Sequence, residues 1–336
     1  STPRYLHTAT TLTDGKLLVI GGADDRGALA TAERLDPSTN QWTPAGKMGT
    51  ARFSHSATRL LNGHVLVVGG QESASGYLAT AELYDPIANA WRPAGAVSAA
   101  RSQHSATLLA DGQVLVTGGR NGTTDLGSAE RYDPSTNRWS AAPSMAVARF
   151  DHTTTLLLDG RVLAAGGSGS RAAVTTELFI PDTNQWTVAP PLAEGRGGHT
   201  ATLLSNGQVL VAGGSAPDGS SFVTAVSRFD SRPDRWSDAG TLADGRVGHS
   251  ATLLPDDGVL LAGGKGKGGY LAVAERYFPA DNSWRTVAAL ATPRWRHTAT
   301  ALVAGRVLVA GGHGAANALA DVEVYAPVSN RWLTVG

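Results

Sequence analysis

Cysteine is absent from this sequence of 336 residues. Its absence excludes disulfides, thiolate metal ligands and cysteine nucleophiles. A chain without thiols also suits an oxidising, extracytoplasmic compartment, where free thiols are prone to oxidation. An excess of charge is missing as well, because 28 basic residues balance 28 acidic ones. Without net charge there is no bulk attraction to nucleic acid or to an anionic membrane, so neither is expected as a partner.

Long apolar segments and helical patterns are also missing. No apolar run approaches the roughly 20 residues that a membrane-spanning helix needs. Apolar residues do not recur at the 3.6-residue spacing of an amphipathic helix, which argues against an α or α/β fold. No composition shift or linker interrupts the chain, so we expect one domain over residues 1–336 and a monomer.

The chain instead contains a repeat of 47 to 50 residues that occurs seven times. Each copy begins with Arg-x-x-His, continues with a Gly-Gly pair and ends with a tryptophan. A period of this length marks a repeat architecture. The predicted units cover residues 1–48, 49–97, 98–145, 146–192, 193–242, 243–290 and 291–336.

Each unit is predicted to form four strands. In the second copy, residues 55–61 and 64–70 are β-compatible runs joined by the hairpin dipeptide Asn62-Gly63. Residues 80–85 form a third run, and the segment that carries Trp91 forms the fourth. Five other copies have Asn-Gly or Asp-Gly at the hairpin, among them Asp257-Gly258, and the seventh has Ala304-Gly305.

Side-chain size predicts how the units assemble. The first strand is built mostly from small residues and the last carries the large indole, which suits wedge-shaped blades around an axis. We therefore predict an all-β fold: a seven-bladed β-propeller of four-stranded antiparallel blades. Each blade is contiguous in sequence, so the ring closes without strand exchange, by side-chain packing between the seventh and first blades.

The Gly-Gly pair, an aromatic residue in the third strand and the Asn-x-Trp that follows it resemble the kelch repeat. The form Arg-x-x-His-[Ser/Thr]-x-Thr-x-Leu is most similar to the propeller of galactose-oxidase-like proteins. In those proteins the copper-binding histidines have this setting. Their radical-copper chemistry also needs a tyrosine directly before a histidine and a cysteine linked to another tyrosine. This chain has neither, so that chemistry is not expected.

Two interpretations of the seven linker histidines follow. The resemblance implies a metal site, and imidazole suits copper and zinc. Presence in all seven copies favours a structural role instead, such as a hydrogen bond to the backbone of the neighbouring blade. The candidates are His7, His55, His104, His152, His199, His249 and His297.

The arginine of each Arg-x-x-His linker has a structural explanation. Six copies carry a glutamate in the third strand, so an Arg–Glu pair is predicted to brace each of those blades. The fifth copy has Ser227 at this position.

One face of the predicted disc carries the variation between copies. The Arg-x-x-His linkers and the loops after Gly-Gly share this face, and loops on a rigid scaffold usually carry function. Aromatic linker residues edge it, and Gly197, Gly198 and Gly248 leave one side open. The residues expected nearest a ligand are Trp295, Arg296, Tyr5, Phe53, Phe150, Asp151, Tyr77, Tyr270 and Arg120.

Several functions are compatible with this pattern. The first is a kelch-type binding scaffold that holds a peptide, protein or carbohydrate on the loop face around the axial channel mouth. The alternatives are a copper- or zinc-dependent enzyme that uses the histidine ring, and a metal-free polysaccharide lyase that uses His152 or His297 with a tyrosine. An engineered or recently amplified propeller without an evolved ligand is a further alternative.

Overall fold

Seven four-stranded antiparallel sheets make up the computed structural model of the protein, which describes residues 2–169 and 172–335, with Ala172 described by its backbone alone. Each sheet consists of four strands consecutive in the chain, apart from short hairpins in three of the loops, and forms one blade of a β-propeller. The predicted fold class is confirmed. No helix in these residues is long and apolar enough to cross a membrane.

The four strands of a blade run from the axis to the rim. The inner strands are Thr8–Thr11, Ser56–Arg59, Ser105–Leu108, Thr153–Leu156, Thr200–Leu203, Ser250–Leu253 and Thr298–Ala301. The second strands are Leu17–Ile20, Val65–Val68, Val114–Thr117, Val162–Ala165, Val209–Ala212, Val259–Ala262 and Val307–Ala310. The third strands are Thr31–Asp36, Thr80–Asp85, Ala129–Asp133, Thr176–Ile180, Ala225–Asp230, Ala274–Phe278 and Val322–Ala326. The outer strands are Gln41–Lys47, Ala90–Ala96, Arg138–Ala142, Gln185–Ala189, Arg235–Thr241, Ser283–Val287 and Arg331–Thr334.

Shorter elements lie in the loops. Three two-residue hairpins follow Gly-Gly pairs, at Ala23–Asp24 with Gly27–Ala28, Arg120–Asn121 with Thr124–Asp125, and Lys265–Gly266 with Gly269–Tyr270. Two 3₁₀ turns cover Ala172–Val174 and Val303–Gly305.

The hydrophobic core lies between neighbouring blades. The second strand is buried on both faces in every blade, which explains its continuous apolar sequence. Tyr84 of blade 2, for example, packs with Leu18 and Ile20 of blade 1. Its ring also lies 5.0 Å from that of Trp91, its cross-strand partner. The aromatic residues therefore fill the widening gap towards the rim.

The Gly-Gly pair lets consecutive linkers pack against the end of the second strand. A Cβ on Gly21 would lie 2.5 Å from the carbonyl oxygen of Arg52, and one on Gly22 would lie 2.7 Å from Cβ of His7. Both glycines also have positive φ, at 56° and 91°. The pair is therefore required by the two Arg-x-x-His linkers that it touches.

The hairpin prediction was wrong in detail for blade 6. In five blades the glycine of the Asn-Gly or Asp-Gly dipeptide has positive φ, as in Gly63 at 86°. In blade 6 the turn spans Leu254 to Gly258, so Asp257 stands where those blades have glycine and takes the positive φ, at 65°. Gly258 then starts the return to the second strand.

The ring closes between blades 7 and 1 by a mixed apolar cluster and by backbone hydrogen bonds. Leu17 and Val19 pack with Leu308 and Ala310. The Arg4 carbonyl also accepts from the Gly312 N–H at 2.8 Å. Closure without strand exchange is confirmed, but it does not rest on side-chain packing alone.

One hydrogen bond between blades, present at the other six seams, is missing at this seam among the described residues. Six outer-strand tryptophans donate their indole N–H to a carbonyl of the preceding blade at 2.7 to 2.9 Å. Trp42 of blade 1 has no such bond to blade 7 within residues 2–169 and 172–335. The seam between blades 7 and 1 therefore lacks one hydrogen bond that the other six seams share.

Candidate functional site

Buried arginines hold the start of each linker. Six of the seven pair with the third-strand glutamate of the same blade, as predicted, with N–O distances of 2.5 to 3.0 Å. In blade 2, Arg52 also donates through Nη1 to the carbonyls of Gly69 and Thr80. The guanidinium is fully buried, so the Arg52–Glu82 pair clamps the linker onto its blade.

The histidine of each linker is buried between two blades. In every blade its Nε2 lies 2.8 to 3.0 Å from a serine or threonine hydroxyl of the preceding blade. For His55 this is Thr8, the first residue of the preceding inner strand, whereas His152 uses Thr117 of a second strand. The partner of Nε2 is therefore a side-chain hydroxyl of the neighbouring blade. Burial, reinforced by the charge of Arg101, lowers the pKa of His104 to about 3.

The residue before each histidine adopts a left-handed backbone conformation. The φ values run from 50° to 65°, and five of these residues are not glycine. Such a conformation costs about 1 kcal/mol or more for a residue with a side chain, and strain of this kind often accompanies function. The seven residues form a ring around the axis and are called the ring residues below. They are Leu6, Ser54, Gln103, Asp151, Gly198, Gly248 and Arg296.

Backbone hydrogen bonds run from one ring residue to the next. The N–H of each donates to the carbonyl of the ring residue in the preceding blade, at 2.7 to 3.2 Å, in six of seven cases. The bond from Gly248 to Gly198 is absent between these two described residues. The sequence of hydrogen bonds around the ring is therefore interrupted between blades 5 and 6. Val247 narrows this gap, because its Cγ2 lies 2.7 Å from where a Cβ on Gly198 would be.

The ring surrounds a cavity of about 250 Å³ at the mouth of the axial channel. The side chains of Asp151 and Arg296 both line it, from blades 4 and 7. Gln103 donates through Nε2 to Asp151 Oδ2 at 2.8 Å. The cavity is therefore lined by a carboxyl group and a guanidinium group that come from two different blades.

Both charges are partly removed from water. Burial raises the pKa of Asp151, while Arg296, the hydrogen bond from Gln103 and the charge of Arg120 act in the opposite direction. Burial likewise lowers the pKa of Arg296, and the charge of Asp151 opposes this shift. Partly desolvated charges interact strongly with a complementary ligand, because less water screens them.

An aromatic ledge lies beside the cavity on blades 6, 7 and 1. The rings of Trp295 and Tyr270 are 5.9 Å apart, and the ring of Tyr5 meets His313 edge-on at 5.0 Å. The guanidinium of Arg296 lies 4.2 Å from the Trp295 ring centre. The indole Nε1 of Trp295 is buried without a hydrogen-bond partner among the described residues.

The predicted contact residues fall into separate groups. Tyr5, Tyr270 and Trp295 form the ledge, and Asp151 and Arg296 line the cavity. A smaller group lies across the mouth, where the guanidinium of Arg120 lies 4.5 Å from the ring centre of Phe150.

Phe53 and Tyr77 lie outside these groups, on blade 2. Phe53 forms a β-bridge with Gln71, and Gln71 forms another with Tyr77. They share the loop face but contact neither the ledge nor the cavity in the contacts described.

Three residues of the site were not predicted from the sequence: Gln103, Lys265 and His313. Lys265 and His313 directly follow a Gly-Gly pair, and this position forms a bridge with the first variable residue of the linker in every blade. Alignment of the copies at that position would have found them, since Arg120 occupies it in blade 3. Lys265 Nζ lies 5.6 Å from the Trp295 ring centre.

The histidine ring does not form a ready metal site. The imidazoles face hydroxyls of neighbouring blades, and no three histidine, aspartate or glutamate side chains of residues 2–169 and 172–335 are grouped to hold a metal ion. Asp151 and His152 also have different partners, Gln103 and Thr117. The donor set as arranged therefore does not fit a copper or zinc centre.

The fold and repeat pattern define the class: a seven-bladed kelch-type β-propeller. The sequence model of the KLHDC2/KLHL20/DRC7 Kelch-repeats domain matches residues 1–167 and 151–336. The chain belongs to this kelch-repeat family, whose propellers generally mediate interactions.

Comparison with solved structures finds the same fold. A copper-bound fungal alcohol oxidase of the AA5 family matches with a TM-score of 0.76 and 17% sequence identity, over 94% of this chain and 73% of that one. No curated protein sequence matches.

Proposed function

We propose that this kelch propeller is a binding scaffold for a protein or peptide, whose ligand site is the axial mouth together with the aromatic ledge. The observation that carries the proposal is that Asp151 and Arg296 line the same cavity of about 250 Å³. Maintaining partly buried charges and left-handed non-glycine residues costs stability. A site that recognises a polar ligand group explains that cost.

The ledge supplies the apolar part of such a site. Trp295 and Tyr270 offer aromatic surface next to the cavity, and tyrosine, tryptophan and arginine dominate binding hot spots. An inserted side chain or chain segment would pair with Arg296 or Asp151 and rest on Trp295. A cavity of this size accommodates one or two side chains and not a whole domain, so a partner would contact it through a protruding segment.

A displayed library of random peptides, selected on the immobilised protein, tests the proposal. Selected peptides should lose at least tenfold in affinity when Arg296 is replaced by Ala or Trp295 by Ala. Ile87→Ser is the matched control, because Ile87 is 97% exposed on the opposite face. Binding that R296A and W295A leave unchanged would contradict the site.

Glycan binding is the competing outcome of the same experiment. A sugar ring stacks on aromatic faces, so a glycan array probed with the wild type and with W295A distinguishes the two ligand classes. If the protein binds a glycan through Trp295 and selects no peptide from the library, the proposed site is correct but its ligand is a carbohydrate.

A metal-dependent enzyme is the second candidate, because a copper-bound oxidase shares the fold. The hydroxyl-bonded imidazoles argue for a structural role. After loading with copper or zinc and exhaustive dialysis, the chain should retain far less than one metal ion per molecule. One retained ion per chain that is lost in the variants H152A and H297A would favour the enzyme.

A further inference from the structure

Blade 5 lacks the brace that the other six blades share. Its buried arginine, Arg196, faces Ser227 where they have glutamate, and Ala225 stands where blades 1 and 2 have a threonine. In blade 2 the Nη2 atom of the arginine donates to both the threonine hydroxyl and the glutamate carboxylate. Both side-chain acceptors are therefore missing in blade 5.

The result is a buried cation with an unused donor. Arg196 has no exposed surface, and Nη1 donates to the carbonyls of Gly213 and Ala225. Its Nη2 atom has no hydrogen-bond partner within residues 2–169 and 172–335. Burial lowers the pKa of Arg196 to about 10, an effect that the charge of Glu194 opposes. An unpaired buried charge costs several kcal/mol, so this donor favours an anion over an empty space.

The glutamate carboxylate that blade 5 lacks also accepts hydrogen bonds from the backbone in the other blades. In the other blades the glutamate carboxylate accepts a backbone N–H from the segment before the linker arginine, as Glu275 does from Ala243 at 2.8 Å. Ala193 stands at this position before Arg196, and its N–H has no acceptor among the described residues. Replacement of glutamate by serine removes as many non-hydrogen atoms as a formate ion contains.

We propose that blade 5 binds a small carboxylate anion, of the size of formate or acetate, between Arg196, Ser227 and the backbone N–H of Ala193. The anion takes the place of the glutamate carboxylate of the other blades. Charge-assisted hydrogen bonds to a planar guanidinium fit a carboxylate better than a spherical or bulky anion. Ser227 is buried, with 8% exposure, whereas Ala193 is exposed, so the site lies next to solvent on the Ala193 side. This site is separate from the axial mouth and independent of the function proposed there.

Thermal unfolding in sodium formate at pH 7.5 tests the proposal, with the ionic strength held constant by the bulky buffer anion MES. The Tm of the wild type should rise saturably with formate. Tenfold excess over the dissociation constant should raise the ratio of folded to unfolded chains about elevenfold. The variant S227E carries its own carboxylate, so it should start from a higher Tm and show no response to formate.

Glu275→Ser is the matched variant. Blade 6 has Val273 at the position of Ala225, so E275S recreates the blade 5 arrangement around Arg246. It should have a lower Tm than the wild type and should recover part of the loss in formate. This variant keeps the test decisive if S227E fails to fold.

Two results would overturn the proposal. One is a formate effect no larger in the wild type than in S227E. The other is a response that appears only after Glu194 is replaced by Gln, because the neighbouring carboxylate of Glu194 would then be the group that pairs with Arg196.

Discussion

Acid should unfold this protein with unusual cooperativity, because seven histidines are buried without charge. Burial lowers their pKa values, to about 3 for His7, His104, His199, His249 and His297. For the other two, His55 and His152, burial lowers the pKa well below the usual value. In the unfolded chain each histidine has a pKa of about 6.5.

The sign follows from proton binding in the two states. Below pH 6.5 the unfolded chain takes up protons that the folded chain does not accept, so falling pH favours unfolding. The stabilisation is complete above the unfolded pKa and is lost as the pH falls towards the folded value. Each histidine loses about 1.4 kcal/mol between pH 7.5 and 5.5, and seven lose roughly 9 to 10 kcal/mol. That matches the whole stability of many domains, at about 5–15 kcal/mol.

Denaturant unfolding followed by tryptophan fluorescence at pH 7.5, 6.5 and 5.5 measures this effect. The exposed aspartates with lowered pKa, such as Asp36 and Asp133, titrate below this window and do not obscure it. Near pH 5.5 the slope should correspond to about six protons, and His104→Gln should remove about one of them. A total loss under about 3 kcal/mol between pH 7.5 and 5.5 would refute the reasoning.

The braces, the outer tryptophans and the closing seam each make a further prediction. Replacing Glu177 by Gln leaves buried Arg149 without its carboxylate and should lower the free energy of unfolding, measured with denaturant, by roughly 3 kcal/mol. The same change at exposed Glu72 should lower it by under about 0.5 kcal/mol. Equal losses for the two variants would argue against the brace. Trp139→Phe should destabilise by about 1 kcal/mol more than Trp42→Phe, because the Trp139 indole donates to the preceding blade and the Trp42 indole has no such bond in the described chain. No difference in the free energy of unfolding would mean that this bond is not stabilising. Hydrogen exchange should be faster in the inner strands of blades 7 and 1 than in those of blades 3 and 4, and equal protection would contradict a weaker seam.

The repeat made the fold predictable. A period of 47 to 50 residues, two-residue hairpins and a small-to-large gradient along each copy are local or periodic features. They predict seven four-stranded blades without knowledge of any contact. The Arg–Glu braces were predictable for the same reason, since both residues recur at a constant separation inside one copy.

The candidate site was predictable only in outline. Asp151 and Arg296 were expected to lie near a ligand, but their shared cavity depends on linkers from blades 4 and 7. Gln103 was missed because its contact with Asp151 joins residues 48 positions apart. The blade 6 hairpin was misassigned from its Asp257-Gly258 dipeptide, although Asp257 stands eight residues after the linker histidine, where the other copies have glycine.

The sequence by itself determined the number of blades, their strand order, the internal braces and the face that varies. These features follow from interactions within one repeat, and the repeat occurs seven times in the chain. Only the tertiary structure decided which side chains meet around the axis, because seven linkers converge there from across the whole chain. It also decided that Arg296 and Asp151 share a cavity, that the histidines bond to hydroxyls of neighbouring blades, and that Arg196 is left without a carboxylate partner among the described residues.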